Sequence, residues 1–251
     1  MSGDDGETLG LAVVFLIVAL VYAAVGQAGA SGYIAAMGLL GMAPLTMKTT
    51  ALGLNLLVAG IGTLQFWRMG FLSWRAVYPF AILGVPLSLV GGTIQLHERV
   101  FYPLVGIVLL LSATQMIRSA RKKSAESPPP TLPPPFFPSL LTGAIIGLVS
   151  GTTGTGGGVF LAPIIVGMNW ATVRQTAATT AVYNLMVSAA ALLGAHRYWD
   201  QIPPSMPLWL GAVGLGGGLG AFVGSRHLPE TWMRSILALL LFVSGVKLVM
   251  S

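Results

Sequence analysis

Apolar residues run along this chain in blocks, not in the alternation of half-buried strands or the narrow stripe of a soluble amphipathic helix, and the blocks end at glycine, proline or charge. Six of them, Thr49–Trp67, Ala76–Leu96, Val100–Ile117, Val173–Ala195, Met206–Ser225 and Trp232–Met250, approach the ~20 residues needed to cross the hydrocarbon of a bilayer. The remaining blocks come in pairs around glycine. Leu9–Val25 and Tyr33–Met42 flank G-Q-A-G-A-S-G at Gly26–Gly32, and Ser139–Ser150 and Val159–Met168 flank G-T-T-G-T-G-G-G at Gly151–Gly158. Five glycines and three threonines in eight positions continue a helix only at a large cost in backbone entropy, so the second stretch predicts a break. In hydrocarbon the polar backbone of a break is tolerated only where protein or a water-filled cavity satisfies it, which makes it a candidate binding site.

The pattern occurs twice. Each half reads as a Gly-broken pair of short segments followed by three full spans, and the halves share details. Gly26 and Gly29 match Gly151 and Gly154 in spacing, the run Met42–Thr50 parallels Met168–Thr176, and Asn55 has a counterpart in Asn184. Between Arg118 and Pro138 the composition changes to basic residues and prolines, which favour a semi-rigid extended spacer. The expected organisation is an N-terminal membrane repeat at residues 1–120, a Pro-rich linker at 121–137 and a C-terminal membrane repeat at 138–251. The fold class is all-α, a polytopic membrane protein.

Composition supports the bilayer as partner. The 251 residues are 55% hydrophobic and 8% charged, with a mean hydropathy of +0.82, outside the range of soluble domains. The net charge of +6 does not form a basic stripe interleaved with aromatics, so no nucleic-acid partner is expected; it follows the positive-inside rule instead. Arg118, Arg121, Lys122 and Lys123 place the linker in the cytoplasm, and the acidic segment Met1–Thr8 lies outside. That segment is also the wrong start for a cleaved signal, so Leu9–Val25 is read as retained. With each broken pair entering and leaving on one side, three spans per half leave both termini outside and invert one half relative to the other. Inversion of that kind puts a transporter's site at the repeat interface.

The polar residues within the apolar blocks then define the chemistry. Glycine-rich turns aim successive N–H groups into one concavity, and a helix beginning near Val159 adds its positive dipole end, which together suit an anion. Gly151, Thr152, Thr153, Gly154, Thr155, Gly156, Gly157 and Gly158 form one side of this candidate cradle, and Gly26, Gln27, Gly29 and Ser31 form the other. Asn55, Thr180 and Asn184 sit in the spans that follow the breaks, Thr180 and Asn184 four residues apart on one helix face. Lys48 and Arg174, at the mouths of those spans, are candidates for drawing anions in, or for anchoring the helix ends at the interface. The run Gly214–Gly220 lies mid-span without polar company and is read as a packing face. All seven carboxylates fall in tails, loops or the linker, and no histidine sits mid-span, which favours an anion over a cation as ligand. There is no cysteine, no Walker lysine, no catalytic constellation and no metal-ligand spacing, so neither an enzyme, a cofactor nor a metal is expected.

The segment Gly143–Ile165, G-A-I-I-G-L-V-S-G-T-T-G-T-G-G-G-V-F-L-A-P-I-I, with T-A-A-T-T-A-V-Y-N-L at Thr176–Leu185, resembles the signature of the TauE/SafE family of sulfite exporters. The first half departs from it, with G-Q-A-G-A-S-G-Y in place of the G-x-G-G-G form and Gly38 where proline is common. The resemblance implies a multi-pass protein of the bacterial inner membrane that moves sulfite, sulfonates such as sulfoacetate, or related small sulfur anions. Expelling a monovalent anion from a negative interior is favoured by ~2.3 kcal/mol per 100 mV, so export needs no further energy source. Two alternatives stay open: an uptake permease for sulfonates or other small organic anions, and a non-transporting membrane scaffold whose breaks only pack helices. A homo-oligomer is compatible with each.

Overall fold

The computed structural model describes residues 2–24, 26–121, 134–168 and 170–224, together with 239, 242, 245, 246, 249 and 250. Among them the regular structure is helical: α1 (Ser2–Ala24), α2 (Ala30–Leu39), α3 (Pro44–Arg68), α4 (Trp74–Thr93), α5 (Glu98–Arg121), α6 (Phe136–Thr153), α7 (Gly158–Gly167), α8 (Val173–Gly194) and α9 (Met206–Gly224), with a short 3-10 helix at His196–Gln201. Five of these are long and apolar enough to cross a membrane, within α1, α3, α4, α6 and α8. Linker residues 122–133 and most of the expected span Trp232–Met250 lie outside the described residues.

Local chemistry accounts for the helix ends. Pro44 stands at the first helical position of α3, where its missing N–H has no partner to lose. Thr172 and Gln175 form a reciprocal capping box on α8. At the end of α1, Gly26 is left-handed (φ 76°), and the Gly26 and Gln27 amides donate back to Ala23 and Tyr22 in a Schellman motif. The end of α6 is similar: Gly154 has φ 77° and donates to the Ser150 carbonyl at 2.8 Å.

Several boundaries differ from the sequence reading. The breaks are shorter than Gly26–Gly32 and Gly151–Gly158, because Ala30 already starts α2 and Gly151–Thr153 still belong to α6. The segment expected at Ser139–Ser150 is an 18-residue helix that begins inside the proposed linker, with Pro135 as its N-cap. Each broken pair is therefore one helix of spanning length followed by a 10-residue half-helix, not two short segments. By position in the elements, Gly26 falls with Gly154, each just beyond a helix end, and not with Gly151.

Glycine ridges set the packing. Gly143, Gly147 and Gly151, one helical turn apart on α6, lie against the backbone of Phe80, Gly84 and Ser88 on α4, so the two helices run parallel with backbones in contact. On α9, Gly216 and Gly220 meet the carbonyls of Leu16 and Leu20, again in parallel, as expected of a packing face. Between these pairs α3 and α8 cross antiparallel: Asn55 bonds Ser188, Gly60 faces Leu185 and Gly62 faces Ala181. The interior along α3 and α8 carries a polar stripe among apolar side chains, with Thr49, Thr50, Asn55, Thr179, Thr180, Asn184 and Ser188 all buried. Large apolar side chains face outward instead, among them Val13 and Ile17 on α1, Leu141 and Ile145 on α6, and Leu215 and Leu219 on α9. A buried polar stripe within a largely apolar core, inside an apolar exterior, suits hydrocarbon as the surrounding solvent.

Candidate functional site

The half-helices α2 and α7 begin at the two breaks and converge on one pair of carboxamides. Asn55, 0% exposed on α3, accepts from the backbone N–H of Ala30, the first residue of α2, at 3.0 Å. Its Nδ2 donates to Oδ1 of Asn184 at 3.2 Å and to Oγ of Ser188 at 2.7 Å. Asn184 in turn lies over the start of α7: a Cβ placed on Gly158 would stand 3.5 Å from its carboxamide. Gly156 closes the junction, because a Cβ there would meet Asn184 Oδ1 at 2.7 Å, Asn55 Nδ2 at 3.0 Å and Ala30 Cβ at 3.3 Å. Its φ of 72° and this close approach both call for glycine.

Each break also leans on the central helix of the other half. Gly26 packs on Ala177 of α8 and Phe66 of α3, and Gly154 packs on the backbone of Lys48 of α3. The residue beside Gly154 is thus Lys48, and the one beside Gly26 is Ala177 and not Arg174. Aromatic rings support the turns from behind: the Tyr33 hydroxyl donates to the Ala28 carbonyl beside Gly29, the N-cap of α2. Tyr183 lies against Gly157, the N-cap of α7, and donates to the Gly143 carbonyl at 2.7 Å. Among the described residues, Gln27 Oε1 in the first break and Ser150 Oγ at the end of α6 are buried without a partner, as are Thr176 Oγ1 and Thr50 Oγ1 close in sequence to Ala177 and Lys48, on which the breaks pack. A buried polar atom without a partner is uncommon in a folded chain, and at a break it offers a place for a polar solute or water.

The remaining candidates divide by geometry. Thr153 and Thr155 share a hydroxyl hydrogen bond of 2.8 Å across the second break, and Thr153 also donates to the Val149 carbonyl. Gly151 is corrected from break to packing residue, its Cα face pressed on Ser88. Thr152 and Thr180 turn their hydroxyls back to carbonyls of their own helices, Leu148 and Val149 for the first and Thr176 and Ala177 for the second. Ser31 bonds the Tyr22 hydroxyl on α1 at 3.0 Å, away from the central asparagines. Lys48 is corrected as a mouth residue, since it is 2% exposed and its ammonium bonds three carbonyls. Arg174 is exposed, with its guanidinium 5.6 Å above the Phe71 ring. Ser188 joins the centre without having been singled out; the signal was its spacing of four residues from Asn184, which puts both on one face of α8.

Two half-helix N-termini meeting at buried carboxamides, inside a bundle with an apolar exterior, define a multi-pass membrane protein of the transporter class. The chain belongs to the sulfite exporter TauE/SafE family, whose model matches residues 11–248. It is similar to the "probable membrane transporter protein y4hK" of Sinorhizobium fredii (strain NBRC 101917 / NGR234), at 59% identity over 244 residues, covering 97% of this chain and 99% of that one. No solved structure matches the chain.

Proposed function

We propose that the chain is a secondary permease that carries small sulfur oxyanions, sulfite and sulfonates such as sulfoacetate, across the bacterial inner membrane, with export as its direction. The convergence of the α2 and α7 N-termini on Asn55 and Asn184 carries this reading. The first-turn N–H groups of a helix have no intrahelical acceptor and form the positive end of its dipole, so two such ends facing one point favour a negative ligand. The carboxamides and the Thr153–Thr155 pair add neutral polar groups; in this closed arrangement Asn55 Nδ2 is engaged with Asn184 and Ser188, and the two hydroxyls with each other and with Val149. The family's printed description, sulfite exporter, supports the substrate class.

On this reading residues 1–120 and 138–251 are inverted repeats joined by a cytoplasmic linker at 121–137, with both termini periplasmic. Two features support it. The corresponding spans α3 and α8 cross antiparallel at their asparagines, and the helix pairs exchange, with α1 along α9 where α6 lies along α4. Asn55 and Asn184 are in direct contact here, so the centre is closed, and rocking of the halves would part them and open the cradle to one side at a time.

The test is flux into proteoliposomes under an imposed potential. Sulfite or sulfoacetate should cross faster than in empty vesicles, and faster toward the positive side. Equal rates with and without the protein, at both polarities, would return the breaks to a packing role.

A further inference from the structure

Lys48 is the charged side chain that is buried among the described residues. Its Nζ donates to the carbonyls of Gly91 and Gly92 at 3.0 Å each and of Ile94 at 2.9 Å. An ammonium has three N–H donors, so the set is complete, and the partners are neutral oxygens, not a carboxylate. These carbonyls form the C-terminal end of α4, where the dipole is negative; the Gly91 carbonyl also accepts from the Ile94 amide at 3.2 Å.

The Gly91 and Gly92 side of that end is buried against other helices, whereas Thr93 and Ile94 are exposed. Gly91 is pressed on the Leu148 carbonyl and Thr152 amide of α6, Gly92 on the backbone of Ala191 of α8, and Ser88 donates to the Val187 carbonyl at 2.8 Å. Three oxygens within 3.0 Å of one point, at the end of a helix inside a membrane bundle, make a cage of the kind that coordinates a monovalent cation. The cage shares a wall with the second break, since a Cβ on Gly154 would lie 3.0 Å from Lys48 Cα.

We propose that the Lys48 ammonium is a tethered cation that fills this carbonyl cage, so that the position holds no exchangeable ion. The assignment stands on geometry; its consequence, anion movement that needs no metal cation here, rests on the permease reading above. A tethered charge also biases the adjoining break toward anions without making the anion compete with a solution counter-ion.

Purified Lys48→Ala and Lys48→Arg proteins test it by thermal unfolding in chloride salts of sodium, potassium, methylammonium and choline at one ionic strength. Lys48→Ala should melt lower than the parent by about 5 °C or more. Sodium or methylammonium should restore part of the loss, choline, which has no N–H, should not, and the parent should respond to none of them. Lys48→Arg, whose planar fork cannot aim three donors at one cage, should also melt lower. Parent-like melting of Lys48→Arg, or a Lys48→Ala protein that no small cation stabilises, overturns the assignment. If Lys48→Ala does not fold, Lys48→Arg and the parent's indifference to cations decide it. In proteoliposomes the parent's anion flux should be equal in sodium and choline buffers. Flux that requires sodium overturns the proposal, whereas absence of flux in both buffers counts against the permease reading and leaves melting to decide the cage.

Discussion

Asn55 is the residue on which both halves depend, because one carboxamide caps α2 through its oxygen and reaches Asn184 and Ser188 through its nitrogen. Replacing it with leucine leaves the Ala30 amide and the Asn184 oxygen buried without partners, at about 1–3 kcal/mol for each. Asn184→Asp is the sharper test of ligand sign, since it keeps shape and acceptors while adding a negative charge and removing a donor. Flux of a sulfonate through Asn184→Asp should fall at least about tenfold at neutral pH, equivalent to ~1.4 kcal/mol, with monodispersity in detergent unchanged. Undiminished flux at neutral pH would remove the anion cradle from this pair. Asn55 and Asn184 were legible in the sequence as polar residues within two apolar spans. That they touch each other was not, since their contact joins residues 129 apart.

At the scale of elements, glycine means two different things in this chain, and composition alone does not separate them. Gly154 and Gly156 have positive φ and make a turn; Gly151, three residues earlier, is an ordinary helical residue with a neighbour too close for a Cβ. The turn of four between Gly143, Gly147 and Gly151 was in the sequence as a small-residue ridge, but only the parallel course of α4 shows that the ridge is used. Gly147→Leu should therefore separate α6 from α4, because its side chain would enter the Gly84 backbone. We expect a fall in melting temperature of about 5 °C or more, or loss of the folded species on size-exclusion chromatography. Gly218→Ala on α9, where nothing lies within 4 Å of the added Cβ, should melt as the parent does. A Gly147→Leu protein with parental stability would show that this ridge does not hold the two helices together.

For the whole molecule, the proposed inversion makes both ends of the chain and the linker observable from opposite sides of the membrane. The chain has no cysteine, so single cysteines can be introduced and read without background. Ser127→Cys in the linker should react with an impermeant maleimide only in inside-out vesicles, and Ser2→Cys near the N-terminus only in right-side-out ones. Labelling of both from one side would contradict the inverted arrangement. The sequence by itself determined the all-helical membrane class, the approximate positions of the apolar helices among the described residues and the two glycine-rich interruptions, because hydropathy and backbone entropy act on neighbouring residues. It did not determine where each break stops, that Lys48 is bound inside the bundle, or that Ser188 completes the centre. Those depend on which helix lies against which: α4 lies against Gly151 within α6, the end of α4 supplies the three carbonyls for Lys48, and the crossing of α3 over α8 brings Asn55 to Ser188.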